Sequence, residues 1–326
     1  MATFKFPIFT IIVILNSYFP MAQQEKSKTS YLEKGTTVSL LKITTLSTML
    51  ADQGIGEWGY SAIVEVDGKK ILFDTGQRPE TVLQNALDLG IDLTEVEDVF
   101  LSHYHGDHTG GLLTLRKELK KINPNALIRV HVGKGIFNER VGFKNNMPQI
   151  KEALEADGVQ FIVYEHEHKL FPGVWITGPI KRVYDENNWF SHIKIKMGDE
   201  YIEDYVPEDQ SLVFDTAEGF VLVAGCGHAG IINTLEQTRN NIYNKEVLAI
   251  IGGFHLLNAT DKHLKWTADK LHDFGVSKII GAHCTGINSL YTLRNLMNLS
   301  RSNAVVGSVG DSFDLENGII AGHIAR

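Results

Sequence analysis

The chain has 326 residues, 43% of them apolar and 21% charged, the ordinary proportions of a globular protein. Its formal net charge is −8 and no Lys/Arg-rich run interrupts it, which argues against a nucleic-acid partner. Two cysteines, Cys226 and Cys284, are too few for a disulfide framework.

Taken in chain order, Lys5 is followed by the apolar run FPIFTIIVILNSYF and then by the polar PMAQQEKSK. That order predicts a secretory signal peptide over residues 1–22, cut after Ala22. A periplasmic or secreted chain follows, with no stable membrane association after cleavage. An uncleaved anchor is the alternative, and initiation at Met21 would instead leave the chain in the cytoplasm. Residues 23–35 read as a polar linker, and 36–326 as a single domain.

Within that domain VSLLKITTLST reads as a strand. SAIVEV and ILFDTG read as a β-hairpin turning at Asp67-Gly68. RPETVLQNALDLGI has helical spacing, with Val82, Leu83, Ala86 and Leu87 on one face and Gly90 as its stop. VEDVFLSH is a short buried strand that delivers HYHGDH at its end, and GGLLTLRKELKKI is a helix starting directly behind. The second half repeats this order: a hairpin through SLVFD and FVLVAGCGH, a helix AGIINTLEQTRNN, a strand VLAIIGG, a helix over 261–274, then SKIIGAHCTG and INSLYTLRNLMNL. Residues 134–210 are less regular and suit an insertion or cap over a site.

The chemistry gathers at HYHGDH. His103 and His105, as alternate residues, point the same way, and Asp107 and His108 follow on the next bend. Two imidazoles can hold one metal ion and the carboxylate with the third imidazole a second; Gly106, Gly110 and Gly111 let the backbone turn close by. Imidazole with carboxylate suits zinc first, with iron or manganese also compatible. The dispersed His166, His168, His192, His263, His272 and His323 read as ordinary surface or core residues. Both cysteines adjoin a histidine, in GCGH and AHCTG, which favours a site role or a packed thiol, with a pairing of the two left open.

HYHGDH after an apolar strand, preceded by a hairpin ending in FDTG, resembles the metallo-β-lactamase-fold hydrolases. With GCGHAGIINTLE, GGFHLL and GAHCTG it resembles the branch of metal-dependent hydrolases that includes archaeal dihydropterin-ribofuranosylaminobenzene-phosphate synthase-like proteins. The resemblance covers about residues 38–326. It implies an α/β fold, an αββα sandwich of two mixed sheets flanked by helices, with a divalent-metal site of one or two ions at one edge. Carried onto this chain, His103 and His105 bind the first ion, Asp107 and His108 the second, and Asp74 orients a histidine or the loop from beneath. Asp74 can equally be a plain turn residue. His228 and His283 rank next as ligands, followed by His255. Cys226 stands where a bridging carboxylate is usual, either as a thiolate ligand or as a small buried thiol.

The implied reaction is attack by a metal-activated water on an ester, lactone or phosphoester of a small molecule. Asp107 and His108 are the catalytic candidates, Asp107 chiefly as a ligand. Backbone N–H groups around Thr285 and Gly286 are candidates for holding an anionic substrate group. The alternatives are a pterin-linked transferase, which export disfavours, and an iron-dependent redox enzyme. Substrate identity and oligomeric state leave no signal in the sequence.

Overall fold

The computed structural model describes residues 1–3, 37–186, 188, 189 and 191–325. The signal-peptide and linker expectations therefore fall, apart from Met1–Thr3, outside the described residues. None of the described helices is long and apolar enough to cross a membrane.

Two sheets carry the domain. The first has eight strands in the order Gly318–Ile320, Ser312–Asp314, Leu41–Ser47, Ser61–Val66, Lys69–Phe73, Asp98–Phe100, Arg129–Gly133, Gln160–Tyr164. The second has seven, in the order Ala304–Val306, Lys278–Gly281, Val247–Gly252, Gly219–Ala224, Leu212–Thr216, Val174–Ile176, His168–Phe171. Alternating apolar residues give each sheet an inner face, and these faces meet in one core containing Tyr60, Phe73, Phe100, Phe214, Val223, Ile251 and Phe313. Helices Thr81–Asp88, Leu112–Leu119 and Met147–Ala156 cover the first sheet through Val82, Leu115 and Leu154. Helices Ile231–Asn241, Asp261–Asp273 and Ile287–Leu296 cover the second through Leu235, Leu271 and Leu293. The result is the αββα sandwich that the resemblance implied.

The hairpin turn falls at Asp67-Gly68, with both residues at positive φ, and the Asp67 carboxylate accepts backbone N–H groups of Ser39 and Leu40. The first helix differs from its expected face. Val82 and Ala86 are buried, but Leu87 is 65% exposed. Asn85 fixes the rotation: its amide donates to the Leu46 and Ile55 carbonyls and its oxygen accepts from Ile55 N, so this polar side chain occupies the inner face. Three backbone bonds decide the rotation, and the outer leucine goes to solvent.

Residues 134–210 are only partly a cap. Helix Met147–Ala156 and strands Gln160–Tyr164, His168–Phe171 and Val174–Ile176 belong to the sandwich layers. The remainder builds a separate three-stranded sheet from Arg140–Val141, Lys194–Met197 and Glu200–Glu203.

Parallel pairing explains why distant motifs meet. Ala224, Gly252 and Gly281 sit in register on neighbouring parallel strands, as do Phe73 and Phe100 on the other sheet. The residues that follow each strand therefore emerge at one edge.

Candidate metal centre

Asp74 emerges one residue beyond its strand in a left-handed backbone conformation, φ 50°. Its carboxylate is buried and accepts from Ser102 N and Ser102 Oγ, both at 2.7 Å, and from His108 Nδ1 at 2.7 Å. The Ser102 hydroxyl has one proton, spent on Asp74, so its oxygen accepts from His103 Nδ1 at 2.8 Å. Both rings, with Nδ1 committed, thereby turn Nε2 toward the site. His228 is held the same way, with Nδ1 donating to the Asn188 carbonyl.

The Nε2 atoms converge. His103 Nε2 lies 3.0 Å and His228 Nε2 3.1 Å from His105 Nδ1. Burial, with His108 and the other imidazoles nearby, holds His103 well below the usual histidine range; burial takes His105 to about 4 and lowers His228 too. Neutral rings with facing lone pairs are the form that binds a cation.

A second group adjoins the first. His108 Nε2 lies 3.1 Å from Cys226 Sγ and 3.9 Å from Asp107 Oδ2, and His283 Nε2 lies 3.3 Å from that same oxygen. Burial opposes ionisation of Asp107, but His108 and His283 outweigh it and hold the carboxyl below its ordinary range. Burial likewise pulls His108 down, while Asp74 and Asp107 together hold it up at about 9. Cys226 has its thiol within 4.8 Å of donors in three groupings: with His103 and His228, with His108 and His283, and with His255 and Cys284. His255 thus keeps company with the cysteines rather than with Asp107 and His108.

The donor set fits a divalent cation. Nδ1 of His283 and Nδ1 of His255 are buried with no hydrogen-bond partner among the described residues, and His283 Nε2 has only the Asp107 carboxylate beside it, a state that is costly unless something electropositive is held there. Asp74, His255 and His283 all have φ near 50°, so backbone strain is concentrated where these side chains are aimed.

The donors open into a cavity of about 1140 Å³, walled by Trp58, Leu113, Phe143, Ile150 and Leu257. Trp58 leans on His283 with ring centres 4.7 Å apart, and Phe143 lies 5.4 Å from His105.

Two expectations are corrected. Thr285 and Gly286 do not line the cavity; Thr285 is buried, its N–H donates to Ala282 O and its hydroxyl to Gly252 O, leaving nothing for an anion. Gly110 has an ordinary helical φ of −66°, so it serves no sharp turn. Its hydrogen is required by contact, because a Cβ there would stand 1.9 Å from Gln77 O. His263, read as an ordinary residue, lies on the cavity wall. Reading the sequence missed Ser102, Asn188 and the arginine described below. Of these only Ser102, a hydroxyl beside a cluster histidine, left a local signal.

Residues 59–230 match the family model described as the metallo-beta-lactamase superfamily. The chain is 31% identical, over 77% of its own length and 90% of the relative's, to a 7,8-dihydropterin-6-methyl-4-(beta-D-ribofuranosyl)-aminobenzene-5'-phosphate synthase of Methanocaldococcus jannaschii. Among solved structures it is similar to a metal-dependent hydrolase of the β-lactamase superfamily, at 25% identity and TM-score 0.66, over 85% of this chain and 99% of that one. It also resembles zinc-bound PqqB from Methylobacterium extorquens in fold, at 14% identity and TM-score 0.52, over 84% of this chain and all of that one.

Proposed function

The chain belongs to the metallo-β-lactamase superfamily, and from that premise we propose that it is a metal-dependent hydrolase of a small organic ester, lactone or phosphoester. The observation that carries the reading is the meeting of His103, His105 and His228 beside Asp107, His108 and His283, with the outer nitrogens of His103, His228 and His108 tied back by Ser102, Asn188 and Asp74. Zinc is the ion this donor set favours; the histidines and Asp107 would hold it at one or two positions, with the Cys226 thiol within reach of both groups. An ion held there supplies the Lewis acidity that hydrolysis needs.

The chain's own residues do the rest. Asp74, through His108, and Ser102, through His103, keep the donor atoms in one arrangement, so little reorganisation accompanies binding. Asp107 faces the cavity as an anion and can serve as a ligand or orient water beside the substrate. Trp58, Phe143 and Leu257 give the substrate an apolar seat and thin the water around the donors.

The test is a screen of chromogenic lactones, esters and phosphodiesters on protein of known metal content, with chelator controls. Hydrolysis that falls with chelation and returns with zinc is expected; silence across the screen with metal bound overturns the reading. The 31% identity to the archaeal synthase supports a second reading, a pterin-linked transferase. Consumption of a dihydropterin together with a ribofuranosylaminobenzene phosphate, without hydrolysis, would establish it. One tightly bound iron would point instead to a redox enzyme.

Export is part of the proposal, supported by the order of Lys5, apolar run and polar segment. A mature chain beginning at Gln23 is expected on N-terminal sequencing of the secreted protein, and initiation at Met21 would refute it.

A further inference from the structure

Cys284 takes no part in the two groups just described, yet its Sγ lies 3.3 Å from Cys226 Sγ. Both cysteines are free and buried. The Cys284 thiol, the Cys226 thiol and a ring nitrogen of His255 all lie within 4.8 Å of one another, and all three residues border the cavity. His255 Nδ1 is buried and has no hydrogen-bond partner, and the residue is held at φ 50°. A strained backbone thus keeps the His255 imidazole beside two thiols.

We propose that Cys226, His255 and Cys284 form a separate thiolate-rich position for a soft d10 cation, Zn²⁺, Cd²⁺ or Cu⁺, adjoining the imidazole and carboxylate donors. The two thiols are free and in hydrogen-bond contact, a spacing from which chelation needs only a small opening. Two thiolates on one tetrahedral ion with metal–sulfur bonds of about 2.3 Å stand roughly 3.8 Å apart, whereas a disulfide needs about 2.05 Å. The observed 3.3 Å is much nearer the chelating separation. Two sulfurs and one imidazole are the donor set that soft cations prefer over hard ones. Binding forms two metal–sulfur bonds and one metal–nitrogen bond, and each thiol gives up its proton to solvent. A cation seated there claims Cys226, the thiol that also lies against His108, so this position and the neighbouring one share a ligand.

The inference does not depend on the hydrolase reading, and the experiment keeps them apart. The full-length chain, reduced and stripped with a chelator, is titrated with Cd²⁺ while thiolate-to-metal absorption and thiols reactive to an aromatic disulfide reagent are followed. At saturation both thiols should be protected, with absorption corresponding to two thiolates. Cys284→Ser should lose about half of that absorption and bind Cd²⁺ about tenfold or more weakly. His105→Ala, which removes a donor of the neighbouring group, should keep it. A Cys284 that stays reactive at saturating Cd²⁺ overturns the proposal. So does Cys284→Ser absorption equal to that of the unaltered chain, or His105→Ala abolishing the two-thiolate signal. If Cys284→Ser fails to fold, the thiol count on the unaltered chain still decides.

Discussion

Arg140 stacks on Tyr104, with its guanidinium carbon 3.7 Å from the ring centre. Tyr104 sits between His103 and His105, so this contact fastens the histidine loop to the small three-stranded sheet in which Arg140 begins a strand. Arg140 is buried and fully engaged: Nε donates to Asp204, one terminal nitrogen makes two bonds to Glu208, and the other reaches the carbonyls of Gly135, Ile136 and Asn138. Planar, multiply donating guanidinium suits this place and a lysine does not.

Arg140→Met should therefore be costly in two measurements. Removing one partner leaves the Asp204 and Glu208 carboxylates buried and unpaired, a loss of about 3–5 kcal/mol in urea unfolding. Zinc affinity, measured by chelator competition on the folded fraction, should fall as well, because the ring between the two histidines loses its clamp. A variant that is destabilised but binds zinc as tightly as before would reduce Arg140 to a purely structural role.

Asp74→Asn isolates the charge behind His108. Asparagine tolerates the left-handed backbone that Asp74 adopts, so the turn should survive. Its amide oxygen cannot accept all three of the bonds that Asp74 now takes from Ser102 and His108. Metal affinity should drop about 10- to 100-fold, with the fold intact by circular dichroism. Unchanged affinity would return Asp74 to the role of a turn residue.

The layering, the hairpins and most helices were readable because strand alternation and helical spacing are local signals. The HYHGDH cluster was readable because donors were adjacent in sequence. What the sequence could not show was set by contacts across long separations. Asn85 reaches Leu46, 39 residues away, and rotates its helix so that Leu87 faces solvent. Arg140 meets Asp204 and Glu208, 64 and 68 residues on, inside a stretch that read only as an insertion or cap over a site. Thr285 looked free to bind an anion until Ala282 and Gly252 were found to occupy its polar groups.

Gly111→Ala tests the close approach behind the metal donors. A Cβ at Gly111 would stand 2.3 Å from Thr75 O, a backbone atom in the turn that begins with Asp74. That carbonyl already accepts from Gly111 N, so neither chain can yield without losing a bond. Overpacking of this kind costs about 1–3 kcal/mol or more. The expected result is a lowered urea midpoint at unchanged m-value. A neutral substitution would show that the two segments can separate freely.

The final prediction concerns pH. Glu186 is buried, accepts backbone N–H groups of Ile232 and Asn233 at the start of the helix that follows His228, and would collide with any side chain at Gly230. Burial raises its carboxyl to about 7, against the two N–H donors and Arg182, which favour the anion. In the unfolded chain an ordinary glutamate titrates near 4.3. Between these values the folded state binds more protons than the unfolded state, so its stability falls as pH rises from about 4.3 to about 7, then levels. Asp209, raised to about 7 by burial, adds a contribution of the same sign. Glu186→Gln cannot ionise, so its melting temperature relative to the unaltered chain should climb from pH 5 to pH 8, while some of the fall due to Asp209 persists in both. Taking the difference between the two proteins cancels the histidines, which titrate in the same range. A difference that stays constant across that window, or that shrinks with rising pH, would mean that Glu186 is already ionised in the folded protein.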